Sequence, residues 1–463
     1  MCYKKIICDS RQVREFSDLM SIKTKFRRYV YSILAADISY MTKYADRVLQ
    51  WQPTTNDDFT LLDLIDNASK TVLHDENFAD ISQEHDKKTI VLINGSINHN
   101  YDIQGILLKL HPRISRTCRV IIVAYNPYVS WLYHLANKLN LRRGELPTTF
   151  VTRVDLENIA KIAGFSIVRT RLAAYIPWRL FGLGDFVNRL LPLIPFFKWL
   201  GFAYIAVLRP VIPERDRKPS LSCVIPARNE HGNIESAIQR LPDLGCALEL
   251  IFVEGHSSDG TWEEILRVKE KYHNIVTIRA FQQTGKGKSD AVRLGFTEAK
   301  NELLTILDAD LTMPPEMLGR FYQAYCAGYG DFINGTRLVY PMEGEAMRFL
   351  NRLGNIFFAK TLSWVLDERI GDSLCGTKLV ALHDYQRMVA WRQDFGDFDP
   401  FGDFELLFPA AVMGLGIVDI PIRYLDRTYG STNISRFHHG LMLLRMTIIG
   451  FFKLKIGARI GKP

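Results

Sequence analysis

No stretch of this 463-residue sequence reaches the ~20 uninterrupted apolar residues that a membrane-spanning helix needs. The nearest, Trp178–Leu208, is broken by Arg179, Asp185, Asn188, Arg189 and Lys198 and by Pro192 and Pro195; it reads as a partly buried surface element or an interfacial patch. The N-terminus, MCYKKIICDSRQVREF, has no long apolar core and carries acids, so a signal peptide is not expected there. Cysteine is sparse and unpatterned: Cys2, Cys8, Cys118, Cys223, Cys246, Cys326 and Cys375 are odd in number and form no C-x-x-C pair. That argues against a disulfide framework or a zinc site and for a reducing cytoplasm. There is no zinc finger, no helix-turn-helix signature and no run of interleaved arginine and aromatics, so nucleic acid is not an expected partner. What is present is an ordinary globular balance, 47% hydrophobic and 23% charged, in a chain long enough for two or more domains. Net charge of +8, with pI ≈ 9.0, favours anionic partners such as sugar nucleotides or anionic lipid headgroups.

The stretch NELLTILDADLTMPPE, residues 301–316, begins as a strand and ends with two acids one residue apart. Leu303, Leu304, Ile306 and Leu307 form a buried-strand run, and Asp308 and Asp310 arrive where the strand would emerge. In a strand, residues i and i+2 point the same way, so both acids would face one object. Like charges that close repel unless a cation or a hydrogen-bond network lies between them. Mg²⁺ or Mn²⁺, which take carboxylate and phosphate oxygens together, would resolve the repulsion. The alternative is a solvated turn with aspartate at its start.

The segment VIPERDRKPS (211–220) is Pro-rich, charged and aperiodic, and sets a linker at 211–219 between residues 1–210 and a domain beginning at 220. Beyond it, strand and helix signals alternate: LSCVIPA, NIESAIQRL; LELIFVE, TWEEILRVKEKY; IVTIRAF, SDAVRLGFTEA; LLTILDA. This order predicts a parallel sheet covered by helices on both faces, with ligands at the C-terminal strand ends. The polar clusters ARNE, EGHSSDGT, GKGKSD and DAD all fall at those ends.

Residues 220–437 resemble a family-2 glycosyltransferase of the polyprenyl-phosphate branch. The motifs that carry the resemblance are VIPARNE (224–230), VEGHSSDGT (253–261), GKGKSDAVR (285–293), DADLTMPPE (308–316), GTR (335–337), GDSLCGTK (371–378), GDFELLF (402–408) and RTYGSTNISRF (427–437). The resemblance implies a GT-A nucleotide-diphospho-sugar transferase fold, a UDP- or GDP-sugar donor, a divalent ion (Mg²⁺ or Mn²⁺), and inverting transfer to a glycan or lipid-phosphate acceptor. It implies a nucleotide-sugar-binding set of Pro226, Arg228, Glu230, Glu254, Asp259, Lys286, Asp290, Asp308, Ala309 and Asp310, with Asp308 and Asp310 at the metal. Glu230 and Glu254 are strand-end acceptors for a base or ribose, although the family usually has aspartate at 254. Asp259 is open to helix capping as well as binding. Lys286 between two glycines suits a diphosphate, and Asp290 would bond ribose or hold Lys286. Thr312 stands where related enzymes offer an amide to the metal.

Inverting transfer needs a base for a hydroxyl acceptor and positive charge for the leaving diphosphate. By resemblance Asp403 is the base, with Glu405 the rival; both are also acids at a helix start, where the dipole favours them. A lipid-phosphate acceptor is already anionic and needs no base. Arg337, Lys378 and Arg427 would then clamp acceptor phosphate or diphosphate, and Asp372 would orient the acceptor loop.

Between Arg423 and Pro463 lie eight Lys/Arg and one acid, Asp426, interleaved with apolar residues from Leu441 to Phe452. A basic amphipathic tail at 438–463 is expected either to dock on a membrane surface or to pack on the catalytic domain with its basic face outward. The first reading places the protein in the cytoplasm, peripheral on the inner face of the membrane.

Residues 88–210 carry another α/β rhythm: KTIVLINGSI, IQGILLKLHPRI, CRVIIVAYN, VDLENIAKIAGF, SIVRTRLAAYI and FAYIAVLRP. This resembles the second half of a class I S-adenosylmethionine-dependent methyltransferase. The expected fold is therefore α/β throughout, as two Rossmann-like domains. At residues 47–62, however, Trp51, Gln52, Pro53 and Thr54 stand where a cofactor-binding glycine turn belongs. A degenerate domain that does not bind S-adenosylmethionine is expected, with Asp75 or Glu76 a remnant ribose acid or a plain surface acid. The alternatives are a bifunctional enzyme that also methylates and a nucleotide-sugar-binding scaffold without turnover.

Overall fold

The computed structural model describes residues 10–54, 57–74, 81–84, 87–139, 146–197, 199–340, 349–395, 402–427, 429 and 436–456. The chain divides into two compact units, with a sequence boundary between Pro210 and Val211.

The first unit opens with a long helix, α1 (Ser10–Thr42), which the sequence rhythm did not signal. Its sheet is built from β1 (Arg47–Trp51), β2 (Lys70–Leu73), β3 (Thr89–Asn94), β4 (Arg119–Tyr125), β5 (Phe165–Ala173) and β6 (Ala203–Pro210), in spatial order β2-β1-β3-β4-β6-β5. The first four are parallel; β6 runs antiparallel to β4 and β5, giving a closing hairpin. Helices α2 (Thr60–Leu64), α3 (Ile103–Leu110), α4 (Ser130–Lys138), α5 (Arg153–Ile162) and α6 (Leu183–Leu190) lie between strands. Alternate residues of β3 and β4 feed different cores: Val91, Ile93, Val120 and Ile122 join one, Ile90, Leu92, Ile121 and Val123 the other. Burial on both faces is why these strands read as continuous apolar runs rather than alternating ones. Asp102 starts α3 by accepting from Gly105 N, and Thr152 starts α5 by accepting from Asp155 N.

After β1, Trp51 is fully buried and Gln52 takes a left-handed φ of 48°. Gln50 Nε2 and Asn94 Nδ2 both donate to Asp57 Oδ2, at 2.7 and 3.0 Å, and Ser96 Oγ donates to Gln52 O at 2.5 Å. The chain thus laces its own polar groups across the end of β1. Asp75 and Glu76 lie outside the described residues.

The second unit carries β7 (Leu221–Ala227), α7 (Ile234–Gln239), β8 (Leu248–Glu254), α8 (Thr261–Lys271), β9 (Thr277–Gln282), α9 (Lys288–Glu298), β10 (Leu303–Ile306), α10 (Leu318–Cys326), β11 (Phe332–Thr336), α11 (Phe349–Leu366), β12 (Lys378–Ala381), α12 (Leu382–Phe395), α13 (Asp403–Val412), β13 (Ile417–Pro421) and α14 (Arg436–Gly450). The sheet order is β13-β11-β12-β10-β7-β8-β9. The expected parallel arrangement holds for β9, β8, β7 and β10. It fails at β12, which runs against both β10 and β11. The reversal matters for the site: the first residue of β12, Lys378, stands at the edge where the parallel strands end. Helix α9 packs close on β7 because Gly295 faces the Val224 side chain, leaving no room for a Cβ.

Helix α14 packs on α11, and its Leu443 and Met446 are buried. Trp364 stacks on Phe451 at 5.4 Å, and Lys455 Nζ donates to Trp364 O at 2.6 Å and pairs with Asp367. Lys455 is therefore part of the packed side rather than of a basic outer face. That outer face instead shows Leu441, Leu444, Ile448 and Phe452 beside Arg445 and Lys453. Arg459 and Lys462 lie outside the described residues. Among the described residues no helix is long and apolar enough to cross a membrane, and Cys118, Cys223, Cys246, Cys326 and Cys375 are free thiols.

Candidate functional site

The strand-end loops of the second unit hold non-glycine residues in the left-handed region: Asn229 (φ 56°) after β7, His256 (φ 58°) after β8 and Leu311 (φ 51°) after β10. Such conformations persist only where the surroundings enforce them, and here they adjoin the acids the sequence singled out. Cross-bonds fix the loops. Asn229 N donates to Ser257 Oγ at 2.9 Å, Ser258 N to Asn229 Oδ1 at 2.9 Å, and Glu230 N to Thr261 Oγ1 at 3.0 Å.

Strand β10 ends at Ile306, so Asp308 and Asp310 lie in the turn beyond it. The strand-parity argument for a shared face therefore does not apply; the turn and their partners set their direction. Asp308 pairs with Lys288, the first residue of α9. Asp310 Oδ2 accepts from Arg427 Nη2 at 2.6 Å, and its Oδ1 accepts from Thr312 N and Oγ1 at 3.1 and 2.8 Å. Thr312 thus holds Asp310 rather than presenting itself as a separate ligand. Burial pushes the Asp308 carboxyl up, but Lys288, Lys378 and Arg337 outweigh it and hold the acid below the usual carboxylate range. The converse holds for Lys288: burial lowers its pKa, and Asp308, Asp403 and Asp310 together raise it.

The other cations are paired as well. Lys378 Nζ, 1% exposed, donates to Asp403 Oδ1 at 2.6 Å and to Cys375 O. Arg337 grips Asp372 through Nε at 2.7 Å and Nη2 at 3.0 Å and lies over the Tyr424 ring. Asp372 is fully buried, yet Arg337 draws its carboxyl below the usual range against the burial term. Arg427 also reaches Glu230 Oε1 at 3.5 Å. Burial raises the Glu230 pKa although Asn233 donates to its Oε2 at 2.7 Å.

Several expected residues are engaged elsewhere. Glu254 is buried and accepts from Ser257 N and, at 3.4 Å, from Gln282 Nε2, so its carboxylate closes its own loop. Asp259 accepts from Thr261 N at 3.1 Å, His231 N at 3.3 Å and Tyr429 Oη at 3.2 Å, the bonding of a brace at the start of α8. Asp290 lies against Gly285 and fills the place of a side chain there. Lys286 and Arg228 are exposed, Pro226 is partly buried, and Ala309 is buried behind the acids. Glu405 is clamped by Arg293 Nε at 3.1 Å and Arg392 Nε at 3.3 Å. It shares with Asp403 and Lys288 the lining of a small open cleft. Lys288 was missed from the sequence; its only signal is the second lysine of GKGK.

Residues 222–381 match the family described as Glycosyl transferase family 2. A dolichyl-phosphate hexose transferase of Haloferax volcanii is 30% identical over 226 residues, 48% of this chain and 89% of that protein. The chain belongs to glycosyl transferase family 2. Among its relatives in the family, the dolichol-phosphate mannosyltransferase of Pyrococcus furiosus is 33% identical over 135 residues, 29% of this chain and 37% of that one. That of Saccharomyces cerevisiae is 35% identical over 108 residues, 22% of this chain and 40% of that one. The chain thus spans well under half the length of these two mannosyltransferases. The solved glucosyl-3-phosphoglycerate synthase of Mycobacterium tuberculosis superposes with a TM-score of 0.37 at 17% identity, covering 52% of this chain and 80% of that one. A fit that loose leaves the site to be argued from this chain's own residues.

Proposed function

We propose that this glycosyltransferase moves a sugar, with inversion, from a UDP- or GDP-sugar to a lipid-linked phosphate acceptor. The carrying observation is that Asp308 and Asp310, beyond the end of β10, are neutralised by cationic side chains from separate segments, Lys288 and Arg427. Such a site can trade partners at little electrostatic cost. Asp308 and Asp310 would hold a divalent ion, and Lys288 and Arg427, released from them, would face the diphosphate.

The residues present fit an ion shared with substrate. Among the described residues no group of three His, Cys, Asp or Glu side chains forms a cage. Mg²⁺ and Mn²⁺ sites of the diphosphate kind need only one or two carboxylates, with phosphates and waters completing the shell. Gly376 leaves the space beside Asp308 and Lys288 open, where a Cβ would collide with both. Asp308 and Asp310 would hold the ion, which would supply charge neutralisation at the departing diphosphate.

The acceptor oxygen attacks the anomeric carbon from the face opposite the diphosphate; the new glycosidic bond forms as the bond to the diphosphate oxygen breaks. A phosphate acceptor arrives anionic, and Arg337 and Arg427 orient it or the leaving group. A hydroxyl acceptor would release its proton to Asp403, which Lys378 holds in place. The names of the relatives, dolichyl-phosphate and dolichol-phosphate transferases, support the lipid-phosphate reading. The outward Leu441, Leu444, Ile448 and Phe452 of α14 support docking on a membrane surface. The first unit is read as a non-catalytic methyltransferase-like domain, because Trp51 and the Gln50–Asp57–Asn94 bonds occupy the end of β1.

Calorimetric titration of UDP and GDP, with Mn²⁺ and with EDTA, tests the reading. One nucleotide should bind only with the ion, and Asp310→Ala should abolish the dependence. Equal affinity in EDTA, or an Asp310→Ala protein that binds like the native one, would remove the metal role.

A further inference from the structure

We propose that residues 178–197 with Trp199 and Leu200, in the connection between β5 and β6 of the first unit, form a membrane-interface element that seats on an anionic lipid surface. The inference is independent of the sugar-transfer reading, because it concerns other residues.

Its centre, α6, is amphipathic the wrong way round for a water-facing helix. Asn188 and Asp185 point inward, and Arg189 stays exposed. Asn188, 6% exposed, accepts from Tyr175 N and Ile176 N at 2.6 and 3.0 Å and donates to Ile176 O at 2.7 Å and Tyr29 Oη at 3.2 Å. Asp185 Oδ1 accepts from Tyr29 Oη at 2.9 Å. Gly184 is buried against Trp178 O with no room for a side chain. The apolar residues point outward, Leu183 at 57%, Phe186 at 61% and Leu190 at 41% exposure, spaced three and four apart along one stripe. A helix packed on a soluble protein shows the reverse pattern.

The flanks repeat the arrangement. Leu180 and Phe181 adopt left-handed φ values of 44° and 55°, and Phe181 projects fully into solvent. Past α6, Phe196 and Trp199 are 70% and 49% exposed. The far end is fastened by Asn126 Nδ2, which donates to Trp199 O at 2.8 Å and Gly201 O at 2.6 Å. Hydrogen bonds therefore hold the display in place. Singly exposed apolar residues need no explanation, but a continuous display marks a binding surface.

Charge decides the occupant. Arg179 and Arg189 are exposed within the segment, and exposed Lys25 and Arg28 flank Phe26, which meets Trp178 edge-on at 5.6 Å. The acids nearby are engaged, Asp185 with Tyr29 and Asp58 with Arg27 at 3.2 Å. A second copy would bring like charges together, whereas an anionic headgroup layer complements them. Trp178 and Trp199 bracket the segment as interfacial anchors do. Because α6 has 8 residues, the element lies on the surface and does not cross it.

Flotation of the full chain with phosphatidylcholine vesicles, with and without phosphatidylglycerol, tests this in the absence of nucleotide. Binding should require the anionic lipid. Phe181→Ser/Phe186→Ser and Arg179→Gln/Arg189→Gln should each weaken it about tenfold, with the melting temperature unchanged. Should a double variant fold poorly, brominated lipid provides the second measurement: it should quench native tryptophan fluorescence, and Trp178→Phe/Trp199→Phe should lose most of that quenching. Native-like flotation of the phenylalanine variant overturns the proposal, as does undiminished quenching in the tryptophan variant. A concentration-dependent dimer that dissociates in Phe181→Ser/Phe186→Ser while vesicle binding persists assigns the face to a second copy and overturns it too.

Discussion

Replacing Asp403 by asparagine separates a chemical role from a structural one, because the carboxylate has both. Lys378 is 1% exposed and Asp403 14%, with 2.6 Å between their charged atoms. Without Asp403 the ammonium stays buried with the Cys375 carbonyl and an amide oxygen for company. Breaking a buried pair costs about 3–5 kcal/mol; the remaining acceptors put Asp403→Asn near the lower end, roughly 3 kcal/mol. For a unit of this size that is about 6–12 °C in melting temperature. If Asp403 also takes the acceptor proton, turnover per folded molecule should fall about 10²–10⁴-fold, with nucleotide affinity unchanged. Lys378→Met on top of Asp403→Asn removes the unpaired cation and should return most of the lost stability, but no activity. Glu405→Gln loosens Arg293 and Arg392 and should lower the melting temperature while folded molecules keep their turnover. The assays are calorimetric melting, nucleotide titration and sugar transfer to both a hydroxyl and a lipid-phosphate acceptor. If turnover returns in the double variant, or never fell in Asp403→Asn with the hydroxyl acceptor, Asp403 is only the partner of Lys378.

Lys288→Met should tighten Mn²⁺ binding to the nucleotide-free protein. A close pair that is 38% and 26% exposed is worth about 1 kcal/mol, so removing the competing ammonium should gain roughly fivefold in an electron-spin titration; weaker Mn²⁺ binding would contradict the exchange of partners. Asp308, Asp372 and Asp259 all titrate below the usual aspartate range, so each contributes stability that is complete above about pH 4 and is lost as pH falls through its folded-state value. Arg337→Met leaves only the backbone N–H groups of residues 337 and 374 to oppose the burial of Asp372, which raises its pKa, and the acid-unfolding midpoint followed by circular dichroism should move to higher pH; an unmoved midpoint would show that the pair does not set acid stability.

The sequence was most readable where hydrophobic runs and turn residues agree. The strands β7, β8, β9 and β10 and the acid clusters after them follow directly from a two-sided buried sheet. The reversal of β12 was not visible, because a short apolar strand has the same composition in either direction. Side-chain commitments were not visible either. Glu254 and Asp259 have the residue type and position of ligand-binding acids, but backbone groups at Ser257, His231 and Thr261 already claim them. Nor does spacing reveal that Arg427, far along the chain, neutralises Asp310. In the tail, the basic and apolar composition pointed to the helix, but Lys455 was counted with the basic residues and is buried against Asp367. Around α6 the broken hydrophobicity left a partly buried element and an interfacial patch both open: Asn188 and Pro192 are buried breaks, whereas Arg179 and Arg189 are exposed.

The reversed strand also divides the site along the chain. Glu230, Lys288, Asp308 and Asp310 lie just beyond β7, β9 and β10, whereas Lys378, Asp403 and Arg427 follow only after the chain has turned back through β12. The pairs β7–β8 and β8–β9 close over short stretches of chain, but β10 must find both β7 and β12 at long range, with Thr305 bonding the carbonyl of Lys378, 73 residues further on. Such distant closure is slow compared with local pairing. A nascent chain therefore carries Asp308 and Asp310 before Lys378 and Arg427 exist to offset them, with Lys288 already in place beside Asp308. The segment after β10, on which the proposed acceptor side lies, is a separable block that can be rewritten while β7, β8 and β9 keep their pairing.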